Sequence, residues 1–98
     1  MPASKFRFHP AVESDLAEAA EWYEAQREGL GLDFLASVRY RISLILENPQ
    51  RWRSVKGTRR ALMSRFPYAI VYREITLDEI EIVAVAHFKR RPKYWASR

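Results

Sequence analysis

Between Val12 and Asn48 the apolar residues recur every three to four positions, and the rhythm breaks once, at Gly29-Leu30-Gly31. Val12, Leu16, Ala19, Ala20 and Tyr23 form one stripe, and Phe34, Leu35, Val38, Ile42, Ile45 and Leu46 form another. That is the period of two amphipathic helices, each with one face to bury. So short a break leaves chain only for a reversal, so the two helices must make an antiparallel hairpin. Pro10 suits the first turn of the first helix, where its missing N–H costs nothing. Asp33 lies near the start of the second helix, and Asn48-Pro49 ends it, because the residue before proline is driven out of the helical region. Glu13, Asp15, Glu18, Glu21, Glu24 and Glu28 occupy the other faces of the first helix. The early carboxylates favour the helix dipole. The acidic face otherwise reads as solvated, with at most a local pairing of Glu24 or Glu28 to Arg27. The Gly-Leu-Gly has no preceding strand and is not a dinucleotide loop.

The flanking segments have a different period. Phe6 and Phe8 alternate with Lys5, Arg7 and His9 as in a short half-buried strand. Residues 50–58 show no clear period and read as a basic loop. Three strands are expected after it, over 60–66, 69–75 and 79–88. In the last, Ile80, Ile82, Ala84 and Ala86 share one face, and Glu79, Glu81, Val83, Val85 and His87 share the other. Thr76-Leu77-Asp78 is short enough for a hairpin. The order β-α-α-β-β-β predicts an α+β fold, with the helical hairpin packed on one face of a mainly antiparallel sheet and a short C-terminal tail or turn of helix. The core expected is Leu16, Tyr23, Phe34, Val38, Ile42, Ile45, Ile70, Tyr72, Ile80 and Ile82. Residues 1–98 make a single domain.

Composition narrows the function. The chain has no cysteine and two histidines, His9 and His87, so disulfides, thiolate chemistry and a sulfur- or histidine-rich metal centre are not expected. No cofactor is expected either. Met1–Arg7 lacks an apolar segment of the signal-peptide kind, and no run is long enough to cross a membrane, which makes the cytoplasm the expected location. Residues 1–50 hold five Lys/Arg against eight Asp/Glu, a net of −3, whereas residues 51–98 hold twelve against four, a net of +8. Charge so divided points to an anionic partner for the second half, either nucleic acid or an acidic protein segment.

A set of short motifs falls in one order along the chain. They are Pro10-Ala11 with Asp15-Leu16, Trp22-Tyr23-Glu24, Gly29-Leu30-Gly31, Phe34-Leu35, Asn48-Pro49, Arg65-Phe66-Pro67-Tyr68, Ile70 with Tyr72, and His87 through Trp95. The ordered set, covering nearly the whole chain, resembles the RelE/ParE superfamily of toxins, also called plasmid-stabilisation proteins. The resemblance implies the toxin of a bacterial type II toxin–antitoxin system, neutralised by a cognate antitoxin whose C-terminal segment wraps it. Operator binding belongs to the antitoxin's N-terminal region, so no sequence-specific DNA binding is expected of the toxin alone. ParE-like members act on DNA gyrase and are not enzymes themselves. RelE-like members cleave mRNA in the ribosomal A site with Arg, Lys, Tyr and sometimes His.

A metal-free ribonuclease needs a base for the 2′-hydroxyl, cations for the phosphate and an acid for the leaving oxygen. Arg65, His87, Arg90 and Tyr94 are the candidates for that chemistry. In RelE itself an arginine precedes the C-terminal tyrosine by six residues; here that position is Phe88, so the nuclease pattern is shifted or lost. The long helical hairpin is the more ParE-like feature, and inhibition of gyrase is the preferred expectation. Arg59, Arg60, Arg65, Arg90, Arg91, Lys93, Tyr94 and Trp95 are the candidate target-binding residues, and Trp22, Trp52 and Arg73 the candidate antitoxin contacts. The plainer alternatives are that His87 caps a strand through backbone hydrogen bonds and that Tyr94 and Trp95 dock back on the sheet edge.

Overall fold

A computed structural model describes residues 2–89 and 94–98. Strand β1 (Lys5–Phe8) leads into helix α1 (Val12–Gln26) and helix α2 (Leu30–Glu47). After a 3-10 turn at Pro49–Arg51 come β2 (Ser54–Val55), β3 (Thr58–Leu62), β4 (Tyr68–Glu74) and β5 (Glu79–His87), and a second 3-10 turn covers Tyr94–Ser97. The sheet order is β1-β5-β4-β3-β2. β1 runs parallel to β5, and every other neighbouring pair is antiparallel. The helical hairpin lies on one face, α1 over β5 and α2 over β4. This is the expected α+β architecture.

The hairpin turn is built differently from the expectation. Asp33 lies in the first turn of α2 as expected, but the helix already takes in Leu30 and Gly31 of the expected break, because α1 supplies its cap: the Glu24 carboxylate accepts the amide N–H groups of Gly29 and Gly31, both at 2.9 Å. Two of the donors that a helix start leaves without partners are thereby satisfied by a side chain from the preceding helix. Glu24 is therefore not a merely solvated residue. Gly29 sits at φ +86°, which favours glycine. At Gly31 a Cβ would lie 2.7 Å from the Ala20 carbonyl oxygen, so the bare backbone is what lets α2 come this close to α1.

Residues 50–58 are not simply a loop. Ser54–Val55 pairs with Thr58–Arg59 across Lys56-Gly57, both at positive φ, +52° and +82°. Two left-handed residues are what a two-residue hairpin needs, because their twist matches that of the strands. β3 consequently begins at Thr58 and ends at Leu62, and 63–67 turn the chain. β1 is an edge strand rather than a half-buried one, with Phe6 and Phe8 42% and 46% exposed. It is held beside β5 by backbone pairing and by the Ser4 hydroxyl, which donates to Asp78 Oδ1 at 2.6 Å.

β5 does not keep one alternation. The register against β4 shifts between Val71 and Tyr72, so Val71 opposes Ala84 while Tyr72 opposes Ile82. The extra residue, Val83, is a bulge that turns the strand over. Ile80, Ile82 and Val85 consequently face the helices, while Val83, Ala84 and Ala86 join Val71 and Trp95 in a second apolar cluster on the other face. The expected sharing of one face by Ile80, Ile82, Ala84 and Ala86 is corrected by this bulge. The helix-side core is as expected at Tyr23, Phe34, Val38, Ile42, Ile45, Ile70, Tyr72, Ile80 and Ile82, all buried. Leu16 is only partly buried, because the neighbouring Asp15 takes the inward position.

Candidate functional site

Asp15 lies on the same stripe of α1 as Val12, Ala19 and Tyr23 and is drawn beneath the end of β5, its side chain 9% exposed. A buried carboxylate must be paired. Its Oδ2 accepts from Arg98 Nη1 at 2.8 Å and from the Val85 N–H at 3.1 Å, and Oδ1 accepts from Arg98 Nη2 at 3.2 Å. Arg98 also donates to the Val83 carbonyl at 3.0 Å and lies 5.1 Å from the Tyr94 ring centre. These contacts pin the C-terminal turn to α1 and to the bulge. The charge-assisted bonds to Asp15 push the Arg98 guanidinium upward from its already high pKa.

The pinned turn closes a cleft of about 120 Å³ lined by Asp15, Glu18, Tyr68, Val85, His87 and Tyr94. His87 and Tyr94 thus share a site, as a proton-transfer pair would. The His87 ring meets Tyr68 edge to face at 5.1 Å, and its Nδ1 accepts the Lys89 N–H at 3.1 Å, a local backbone contact of the strand-capping kind. Burial, reinforced by Asp15, pushes the Tyr94 phenol up to about 12. The site holds two carboxylates, and the arginine that reaches it is already engaged by one of them.

The candidate arginines are dispersed. Arg59 points to the helix side, where it pairs with Glu74 at 2.8 Å and donates to the Trp52 carbonyl. Arg65, on the β3–β4 turn, pairs with Asp33 of α2 at 3.2 Å. Arg73 is on the opposite face, tied to Glu81 at 2.6 Å and to the Arg98 carbonyl at 3.1 Å. Arg60 is also on that face, its guanidinium 5.2 Å from the centre of the Trp95 ring. Arg90, Arg91 and Lys93 lie outside the described residues. Trp95 is buried on the sheet face rather than its edge, with Tyr94 partly buried beside it. Trp22 stands 52% exposed on α1, whereas Trp52 packs edge to face on Tyr72 at 6.5 Å and is partly buried.

Arg60 and Trp95 form a ridge between two hollows. One, of about 370 Å³, runs beside the β2–β3 hairpin and is lined by Lys56, Arg60, Arg73 and Val83. The other, of about 100 Å³, lies towards Leu62, Ala86 and Phe88. Leu62 and Phe88 are 57% and 52% exposed. Among the described residues, Lys56 and Arg60 have no carboxylate partner. Nor, among those residues, does any group of three or more His, Asp or Glu come together as a metal site would require.

Sequence reading missed Asp15, Glu18 and Tyr68 in the cleft and Lys56 beside the ridge. The one available signal was the placing of Asp15 three residues after Val12 and four before Ala19, a carboxylate inside an apolar stripe.

A helical hairpin over one face of a mainly antiparallel sheet, with a cationic and partly apolar surface on the other, defines a small two-layer α+β fold. The chain belongs to the ParE toxin family of type II toxin–antitoxin (parDE) systems, whose model matches residues 6–92. Among solved structures it is similar to the chromosomal ParDE toxin–antitoxin system from P. aeruginosa, with a TM-score of 0.73 at 15% identity. That match covers 89% of this chain and 96% of the other. No curated protein matches the chain in sequence.

Proposed function

We propose that this toxin acts by binding and inhibiting DNA gyrase, and that a cognate antitoxin neutralises it by wrapping it with its C-terminal segment. The observation that carries the first part is the chemistry of the His87–Tyr94 cleft. A ribonuclease must stabilise negative charge on phosphate as it develops, yet the described walls of this cleft carry Asp15 and Glu18, and Arg98 is neutralised by Asp15. A phenol at about 12 is also far from the neutral range in which a general acid or base works best. The Arg60–Trp95 ridge, with exposed Leu62 and Phe88 nearby, instead offers cationic and apolar contact area to a protein with an acidic surface. The antitoxin part follows family membership and is supported by the likeness of fold to the ParDE toxin–antitoxin system from P. aeruginosa.

A second reading, ribosome-dependent mRNA cleavage of the RelE kind, is favoured by one fact: His87 and Tyr94 line the same cleft. The purified protein should be assayed for inhibition of gyrase supercoiling and for cleavage of mRNA on ribosomes. Inhibition is expected to persist in His87→Gln and Tyr94→Phe and to weaken on charge reversal at Arg60, Arg90 and Arg91. Ribosome-dependent cleavage by the wild type, lost in His87→Gln, would replace the gyrase reading with the nuclease one.

A further inference from the structure

Arg41 on α2 is the cation whose surroundings least account for it. Its Nε is shielded from solvent with no hydrogen-bond partner, and its Nη2 reaches only the Ser64 hydroxyl, at 3.4 Å. No carboxylate pairs with it among the described residues. A guanidinium has five N–H donors, and here the Nε–H is shielded from water without a partner while the rest of the group stays open to the cleft. Arg41 lines a cleft of about 240 Å³ between α2 and the β3–β4 turn, together with Ser37, Tyr40, Ser64 and the paired Arg65 and Asp33. Arg65 pairs at 3.2 Å with Asp33, which Arg27 also approaches at 3.8 Å, so two lining guanidiniums stand against one carboxylate and Arg41 has no share in it.

The flank of the cleft is apolar and exposed. Leu32, Ala36 and Tyr40 are four residues apart and therefore line one face of α2. Leu32 is 73% exposed and Tyr40 61%. One surplus charge beside an apolar helical stripe is complementary to an amphipathic acidic segment of a protein. It matches a carboxylate better than a phosphate, whose second charge would face Asp33.

We propose that this cleft receives an Asp or Glu side chain of the antitoxin, whose apolar residues lie along Leu32, Ala36 and Tyr40. The proposal rests on the reading that an antitoxin holds this chain. Its first test needs only the toxin: the Arg41 Nε–Hε resonance of the ¹⁵N-labelled full chain, titrated with sodium acetate, inorganic phosphate or sodium chloride. Acetate should give a saturating shift larger than either of the others. A larger response to phosphate, or none beyond chloride, overturns the carboxylate site.

The second test uses the antitoxin co-expressed from the adjacent reading frame and purified. Arg41→Met should weaken its binding at least about tenfold, while Arg39→Met, on an exposed position of α2, should change it less than about twofold. The free Arg41→Met protein should melt no lower than the wild type, since the substitution removes a shielded N–H that has no partner. A lower melting temperature with unchanged antitoxin affinity would make Arg41 a structural residue and end the proposal. Equal effects of the two substitutions would end it while leaving the toxin–antitoxin reading intact. If no antitoxin binds the wild type, that reading fails, and with it the occupant named here, while the acetate titration still judges the site.

Discussion

Glu24 does for α2 what a residue at the helix start ordinarily does for itself. Since α2 begins on Gly29 with no side-chain cap of its own, Glu24→Ala leaves the amides of Gly29 and Gly31 to water. A loss of about 1 kcal/mol in urea unfolding is expected, the usual worth of a helix cap. An unchanged midpoint would mean that water serves the two amides as well as Glu24 does. Tyr94 makes a prediction in pH. Its pKa is raised from the ordinary 10.0 to about 12 in the folded chain, chiefly by burial. The folded state therefore keeps a proton that the unfolded state has lost. The associated stability is intact below pH 10 and disappears as pH rises through about 12. Denaturant unfolding followed from pH 9 upward should show that decline, and Tyr94→Phe should lessen it. At this scale little of the site was legible in advance. His87, Tyr94, Arg60 and Trp95 could be named as capable residues, but the cleft and the ridge join them to Asp15, Glu18 and Lys56, whose contacts are set by chain segments far away in sequence.

Elements were more legible, because helix and strand periods act over many residues and one irregular residue does not erase them. Both helices, the hairpin and the three long C-terminal strands follow from patterning alone. β2 was missed because two residues cannot display a period, and Leu30-Gly31 read as a break and not as the first residues of α2 because the cap comes from another helix. The bulge at Val83 was invisible for a different reason. Val83, Ala84 and Val85 are all apolar, so the residues themselves do not show where the strand turns over. Ile82 precedes the bulge and is fully buried on the helix side. Ile82→Ala should cost about 2–5 kcal/mol, the usual range for truncating an aliphatic side chain at a closed site. The chemical-denaturation midpoint measures it; a change within error would mean that the register of β5 is wrong.

For the whole molecule, the division of charge between the two halves is a division of elements, although the arginines of the basic half end up on both sides of the sheet. The acidic half supplies β1 and the helices, and the basic half supplies four of the five strands. Lys56 and Arg60, which have no carboxylate partner among the described residues, stand beside the sheet face that the helices leave open. The sheet order carries a consequence of another kind. Of the described strands β1 comes first along the chain, yet its one neighbour in the sheet is β5, the last of them. Contacts so distant along a chain form late in folding, since closing long loops costs entropy before any contact is gained. On the ribosome, the helical hairpin emerges with no sheet to pack on, and α1 keeps its apolar stripe uncovered until β5, which it lies over, has left the exit tunnel. A messenger cut short before β5 therefore yields a chain in which β1 has no strand to pair with and the sheet stays open.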